Sequence, residues 1–201
     1  FDRAAKKFGF DDDTPTAQLR RRPFSPAGAT SPVTIRSEEG HGAVGDGLVT
    51  TPLQMIGAYA VFANGGEYIA PAIVRAIREP GGRVTWRNPG TRVPAIRAKT
   101  ASAMLELLES AVDGPRATGK AARIAGVRVA GKTGTSQLHN PSASQVYASF
   151  IGIVPADAPR YVILVGVVDP GDGAWGGTVA APAFARIATR ALSVPVAPAA
   201  P

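Results

Sequence analysis

The run Tyr161 to Val168, eight residues with no charge and no proline among them, restricts the fold of this chain more than any other segment. It is far shorter than the roughly 20 apolar residues a helix needs to cross a bilayer. It reads as a strand instead. Apolar residues occupy both faces of its pleat, so it should lie in a sheet covered on each side. Val146 to Val154 precedes it across a short Pro155 to Pro159 turn, and Ala125 to Thr135 comes before both. Connections this short make such strands antiparallel neighbours.

Helices are the natural cover. Thr51-Pro52-Leu53-Gln54 places a threonine N-cap, a proline at the first helical position and a glutamine three after the cap, so a helix should start there. It runs through Met55, Tyr59 and Phe62 to Asn64-Gly65-Gly66, whose left-handed preference stops it. A second helix is expected over Lys99 to Val112, because Ala101, Met104, Leu105, Leu108, Ala111 and Val112 share one face. A third lies near Ala181 to Leu192, with Phe184, Ile187, Ala188, Ala191 and Leu192 on one face and Pro182 in the first turn. The fold class is therefore α/β in the α+β sense, an antiparallel sheet flanked by helices. Residues 1–192 form its domain, and a tail of Pro, Val and Ala over 193–201 is expected to be mobile. Asp11 to Gly47, apart from Pro32 to Ile35, has no periodicity and reads as a long surface excursion.

At 201 residues and 45% apolar the chain can bury a proper core. Its formal net charge of +7 is mostly arginine spread along the sequence, with one tight run at Arg20 to Arg22. No aromatic-interleaved basic stripe accompanies it, so a nucleic-acid partner is not expected. Gly40-x-Gly42-x-x-Gly45 matches a dinucleotide fingerprint only formally, since a second glycine cluster follows at once and no helix opens at the right place. His41 and His139 are far apart with no acidic pattern nearby, so neither a metal nor a cofactor is expected. Cysteines are absent, which leaves the compartment undecided. The chain starts at Phe1 without an apolar leader, and reads as a piece of a longer chain with any export signal or anchor upstream.

The most specific words are Val129-Ala130-Gly131-Lys132-Thr133-Gly134-Thr135-Ser136. An ammonium and two hydroxyls can hold a carboxylate, and a glycine removes a side chain that would keep a substrate from the strand edge. Taken alone, the same four residues also fit a strand with an exposed lysine and β-forming threonines.

They do not stand alone. Gly45-Asp46-Gly47, Val49-Thr50-Thr51-Pro52-Leu53-Gln54 and Ala58-Tyr59-Ala60 through Ala63-Asn64-Gly65-Gly66 come first. Ala117-Thr118-Gly119-Lys120-Ala121-Ala122, the Lys-Thr-Gly-Thr strand, Phe150-Ile151-Gly152 with Pro155-Ala156, and Ala180-Ala181-Pro182-Ala183-Phe184 follow. In this order the chain resembles the C-terminal part of the transpeptidase domain of class B penicillin-binding proteins, the D,D-transpeptidases of peptidoglycan. Asp46 stands where the family more often has glutamine.

The resemblance implies the penicillin-binding protein and serine β-lactamase fold, with Lys132 to Thr135 on the strand that borders the cleft. It implies that Lys132 and Thr135 are catalytic: Lys132 directs positive charge into the cleft, and the Thr135 N–H is one oxyanion-hole donor. It further implies that Thr133, Gly134, Thr135 and Ser136 bind substrate, the threonine hydroxyls receiving the terminal carboxylate of D-Ala-D-Ala or of a β-lactam. The family's Ser-x-x-Lys and Ser-x-Asn motifs occur nowhere between Phe1 and Pro201. They are expected upstream, on the N-terminal part of the same precursor. The implied function is cross-linking of stem peptides through a serine acyl-enzyme, outside the cytoplasmic membrane, with cell-division or elongation proteins as further partners. A β-lactamase or β-lactam sensor of the same superfamily, or a non-catalytic scaffold, are the rival readings. A chain holding half a domain should leave apolar surface open on the sheet and on the Met104 and Leu108 helix face.

Overall fold

The computed structural model describes residues 2–10, 50–72, 74–90, 92–138, 145–171 and 173–194. The expected excursion from Asp11 to Gly47, with its glycine fingerprint, arginine run and Asp46, lies outside the described residues, as do both histidines and the tail beyond 194. The chain divides into two compact units, Phe1–Ala101 and Ser102–Pro201.

In the first unit, α1 spans Asp2–Lys7 and α2 spans Pro52–Ala63. The capping box forms as the sequence predicts. The Gln54 N–H donates to Thr51 Oγ1 at 3.2 Å, while Gln54 Oε1 accepts from the Thr51 N–H and hydroxyl, each at 3.0 Å. Gln54 is buried, and these bonds satisfy its side-chain oxygen, which would otherwise be costly to desolvate. Gly65 and Gly66 end the helix with φ of 67° and 100°. The Gly66 carbonyl then accepts the N–H groups of Ala95 and Ile96 at 2.9 and 3.0 Å.

Four short strands follow α2. Strand β1 (Glu67–Ile69) pairs antiparallel with β4 (Arg92–Pro94), and β2 (Ala76–Arg78) pairs with β3 (Val84–Arg87) across an irregular register. At three or four residues each they are too short to show a period of two, and sequence reading does not find them. Val61, Tyr68, Ala70 and Ala95 form this unit's core, with Phe8 and Ile96 against it.

The boundary between units falls inside α3 (Ala98–Asp113), which begins and ends within one residue of expectation. Leu108 is buried and Leu107 is 64% exposed, so the open apolar position on this helix is not the expected Leu108. The guanidinium of Arg123 closes the helix C-terminus, donating to the carbonyls of Val112 and Asp113 at 3.2 and 3.0 Å and meeting Asp113 Oδ1 at 2.8 Å. Cations belong there, where carbonyls lack helical partners.

The second unit is built on an antiparallel sheet in the order β5 (Ala130–Leu138), β6 (Gln145–Val154), β7 (Tyr161–Val168). The register runs from Ala130↔Ile153 to Leu138↔Gln145 in one pair and from Tyr147↔Val168 to Val154↔Tyr161 in the other. Strand β5 starts five residues later than the run Ala125 to Thr135 suggests. Gly126 takes a left-handed φ of 72° within a tight Ile124↔Val127 bridge, which bends the chain before the ladder begins.

One face of the sheet carries Phe150 and Val154, with Tyr161, Ile163 and Val165 alongside. It packs on Phe184 and Ala188 of α4 (Ala181–Ser193) and on Val112, Ala122 and Val129. The Phe150 and Phe184 rings lie 4.9 Å apart between centroids. Two expectations fail here. Ile187 is 49% exposed rather than in the buried stripe. Among the described residues β7 pairs with β6 alone and none of its residues is fully buried, so the cover expected on both its faces is not seen, and the sheet keeps the open apolar surface expected of it.

Two outcomes test this unit-level reading. Thr51→Ala should cost about 1 kcal/mol in denaturant unfolding, with Thr51→Ser close to neutral. Burial pushes the Tyr59 phenol above its ordinary value, so folding favours its neutral form. Its contribution is complete below pH about 10 and is lost as pH rises beyond that. Tyr59→Phe should therefore lessen the fall in stability on the alkaline side, measured as melting temperature against pH.

Candidate functional site

Lys132, Thr133, Gly134, Thr135 and Ser136 all lie on β5, the strand whose outer edge pairs with no other strand among the described residues. Alternation along a strand puts Thr133 and Thr135 on one face and Lys132, Gly134 and Ser136 on the other. The register agrees: Thr133 stands opposite Phe150, on the core face, and Gly134 opposite Ser149. Lysine and threonines nevertheless meet. The Lys132 side chain turns around the strand edge and its Nζ donates to the Thr133 carbonyl at 3.0 Å and to Thr133 Oγ1 at 3.3 Å.

That contact also orients the ladder. The Thr133 carbonyl serves the ammonium at the outer edge, whereas the Gly134 carbonyl is approached by Ser149 Oγ, from the β6 side, at 3.5 Å. By the period of two, the N–H and carbonyl of Thr135 face outward as those of Thr133 do. The open edge thus presents an ammonium, two hydroxyls and a backbone N–H within four residues. The absent side chain at Gly134 points across the sheet, where a Cβ would come 2.6 Å from Ser149 Oγ, rather than out along the edge as the sequence suggests. Ser136 is exposed, opposite Tyr147, and burial pushes the Tyr147 phenol above its ordinary value.

Groups distant in sequence back the two threonines. Thr118, in the turn between α3 and β5, places its Oγ1 3.0 Å from Thr133 Oγ1. The N–H of Gly176, in a π-helical turn over Gly176–Ala180, donates to Thr135 Oγ1 at 3.3 Å. Sequence reading gives neither residue a role, although Thr118 lies in one of the segments that carry the resemblance. The Gly-Gly pair 176–177 was the available signal, since glycine before a helix marks close backbone approach. Lys120, in that same stretch, spends its ammonium on the Pro115 carbonyl at 2.8 Å and takes no part.

Gly176 tolerates no side chain. A Cβ there would overlap the Ser149 carbonyl oxygen and come 2.6 Å from that of Gly134, and backbone atoms in a ladder cannot step aside. Gly176→Ala should lower stability by about 1–3 kcal/mol and displace the donor to Thr135. A melting temperature equal to the parent's would show that the turn does not bear on the strand.

The fold and site have counterparts among known proteins. The model of the penicillin-binding protein transpeptidase domain matches residues 1–189. Penicillin-binding protein PbpB of Mycolicibacterium smegmatis is 36% identical over 170 residues, covering 77% of this chain and 26% of that protein. Peptidoglycan D,D-transpeptidase FtsI of Escherichia coli K12 is 34% identical over 148 residues, covering 71% of this chain and 23% of that protein. The chain thus spans about a quarter of the length of these relatives. Penicillin-binding protein 3 of Mycobacterium tuberculosis, solved in complex with aztreonam, superposes with a TM-score of 0.76 at 30% identity, over 97% of this chain and 46% of that one. From the family match along almost its whole length and these relatives, the chain belongs to the penicillin-binding protein transpeptidase family, among proteins of class B.

Proposed function

We propose that this chain supplies the substrate-binding strand of a peptidoglycan D,D-transpeptidase that cross-links stem peptides through a serine acyl-enzyme. The observation that carries the reading is the open β5 edge, where the Lys132 ammonium, the Thr133 and Thr135 hydroxyls and the outward Thr135 N–H occupy four consecutive residues. A peptide or β-lactam laid along that edge finds donors for a carboxylate and a donor for the carbonyl under attack.

Each group has a distinct task. Lys132 draws the anion in and holds Thr133. The hydroxyls of Thr133 and Thr135 bind the terminal carboxylate of D-Ala-D-Ala, or the carboxylate of a β-lactam. The Thr135 N–H stabilises the oxyanion that forms when serine attacks. Loss of one such donor costs on the order of 3 kcal/mol of transition-state stabilisation. Covalent catalysis splits acyl transfer into two easier steps, and its nucleophile and base come from the Ser-x-x-Lys and Ser-x-Asn motifs that Phe1 to Pro201 do not contain. They reside in the remainder of the precursor. Penicillin-binding relatives with solved aztreonam and ampicillin complexes support β-lactams as ligands of the assembled site, which works on the extracytoplasmic face of the membrane. Among the described residues no helix is long and apolar enough to cross that membrane.

Acylation by a fluorescent penicillin tests the proposal. In the full-length parent, Lys132→Ala and Thr135→Val should each slow acylation at least about tenfold, as expected for losing a charge-assisted hydrogen bond, with little change in melting temperature. Rates within about twofold of the parent would remove both residues from the site. The 201-residue chain by itself should show no acyl adduct in intact-mass spectra, since an unactivated hydroxyl is a weak nucleophile. An adduct on any of its serines would overturn the division of the active site between this chain and the remainder of the precursor.

A further inference from the structure

Thr133 Oγ1 has two neighbours that could each set the direction of its proton. Lys132 Nζ lies at 3.3 Å and Thr118 Oγ1 at 3.0 Å. A hydroxyl carries one proton and two lone pairs, and an ammonium has protons alone. Lys132 must donate, which fills one lone pair. The remaining choice belongs to the threonine pair. If Thr133 donates to Thr118, its proton turns back into the protein and a lone pair faces the edge, which repels a carboxylate. If Thr118 donates, both lone pairs of Thr133 are filled and its proton has only the edge to point to.

We propose that Thr118 is a positioning residue that donates to Thr133 and so directs the Thr133 O–H toward a carboxylate bound at the β5 edge. An anion at the edge selects this arrangement, because each donation into Thr133 Oγ1 strengthens the bond its proton makes onward. The same pattern recurs two residues along. Thr135 Oγ1 receives the Gly176 N–H at 3.3 Å, a group that can only donate, so the Thr135 proton is likewise left for the edge. Each hydroxyl is supplied from behind by a donor drawn from a different loop.

Thr118 is exposed, yet its backbone is fixed on two sides. The Gly119 N–H donates to the Ala111 carbonyl at 3.0 Å, and the Gly119 carbonyl accepts the Ala122 N–H at 2.8 Å. A Cβ on Gly177 would come 2.6 Å from the Thr118 carbonyl oxygen, and one on Gly119 would come 3.0 Å from both the Ala111 carbonyl oxygen and the Phe150 ring. Two glycines thus let the turn press against the sheet and bring the Thr118 hydroxyl into reach. A threonine merely decorating a surface turn would need neither.

The inference rests on the transpeptidase reading, and the test separates the two. The full-length parent is acylated with a penicillin bearing its free carboxylate and with the methyl ester of the same penicillin. Thr118→Val should slow acylation by the free acid about tenfold and by the ester less than about twofold, the difference expected for weakening a bond to a charged group. Thr118→Ser should restore the parent rate with the free acid, and Thr118→Ala, which cannot crowd the turn, should reproduce the valine result. In a Thr133→Val background, Thr118→Val should add no further loss, because its effect passes through the Thr133 hydroxyl. Equal losses with both penicillins, failure of serine to restore the rate, or additive losses in the double variant would each overturn the positioning role. A parent that neither penicillin acylates would instead overturn the transpeptidase reading, and this inference with it.

Discussion

The ring of Phe150 is the piece on which the rest of the second unit is built. It stands opposite Thr133 on the core face of β6, packs against Phe184 from α4 with the rings tilted by 58°, and touches the turn at Gly119. Its position therefore sets how closely three separate segments can approach the β5 strand. Room for it comes from glycine: a Cβ on Gly131 would lie 2.5 Å from the Phe150 ring, and one on Gly152 would lie 2.6 Å from the Phe184 ring. Fully buried aromatic pairs contribute through area and ring geometry together, and here they also fix the loops that bring Thr118 and Gly176 to the strand.

The hydrogen bonds of the site are individually modest. Those from Lys132 and Gly176 to the threonine hydroxyls are 3.3 Å long, and Lys132, Thr118 and Thr135 are exposed to solvent. Such bonds cannot hold a geometry against water by their own strength. Backbone packing does that work: Gly176 lies against the carbonyls of Gly134 and Ser149, and Gly177 against that of Thr118. Rigidity is supplied by the sheet and its close-packed turns, and the polar groups are left with spare capacity for a ligand.

What could be read from the sequence follows the range over which the governing interactions act. The Thr51 to Gln54 capping box spans three residues and was legible residue by residue. The apolar face of α3 and the three strand runs of the second unit were equally legible, as was the Lys132 to Thr135 motif. The start of β5 was not, because Gly126 turns the chain within a run whose composition still favours strand. Ile187 fits the helical period but lies outside the buried stripe, whose width is fixed by the sheet it meets. Thr118 and Gly176 reach their partners across 15 and 41 residues of sequence, a separation at which no local pattern carries the pairing.

The Lys132 side chain, wrapped around the border of β5, bears on solubility as well as on binding. A strand border with unused amides and carbonyls is a template for any extended segment that meets it, and proteins commonly protect such borders with lysine. Here the ammonium already occupies the Thr133 carbonyl. An intruding polypeptide would have to displace it and bury the charge without a counterion, whereas a short ligand ending in a carboxylate supplies that counterion itself. Under the proposed reading, one cation both discourages self-association and admits an acidic guest at the same border.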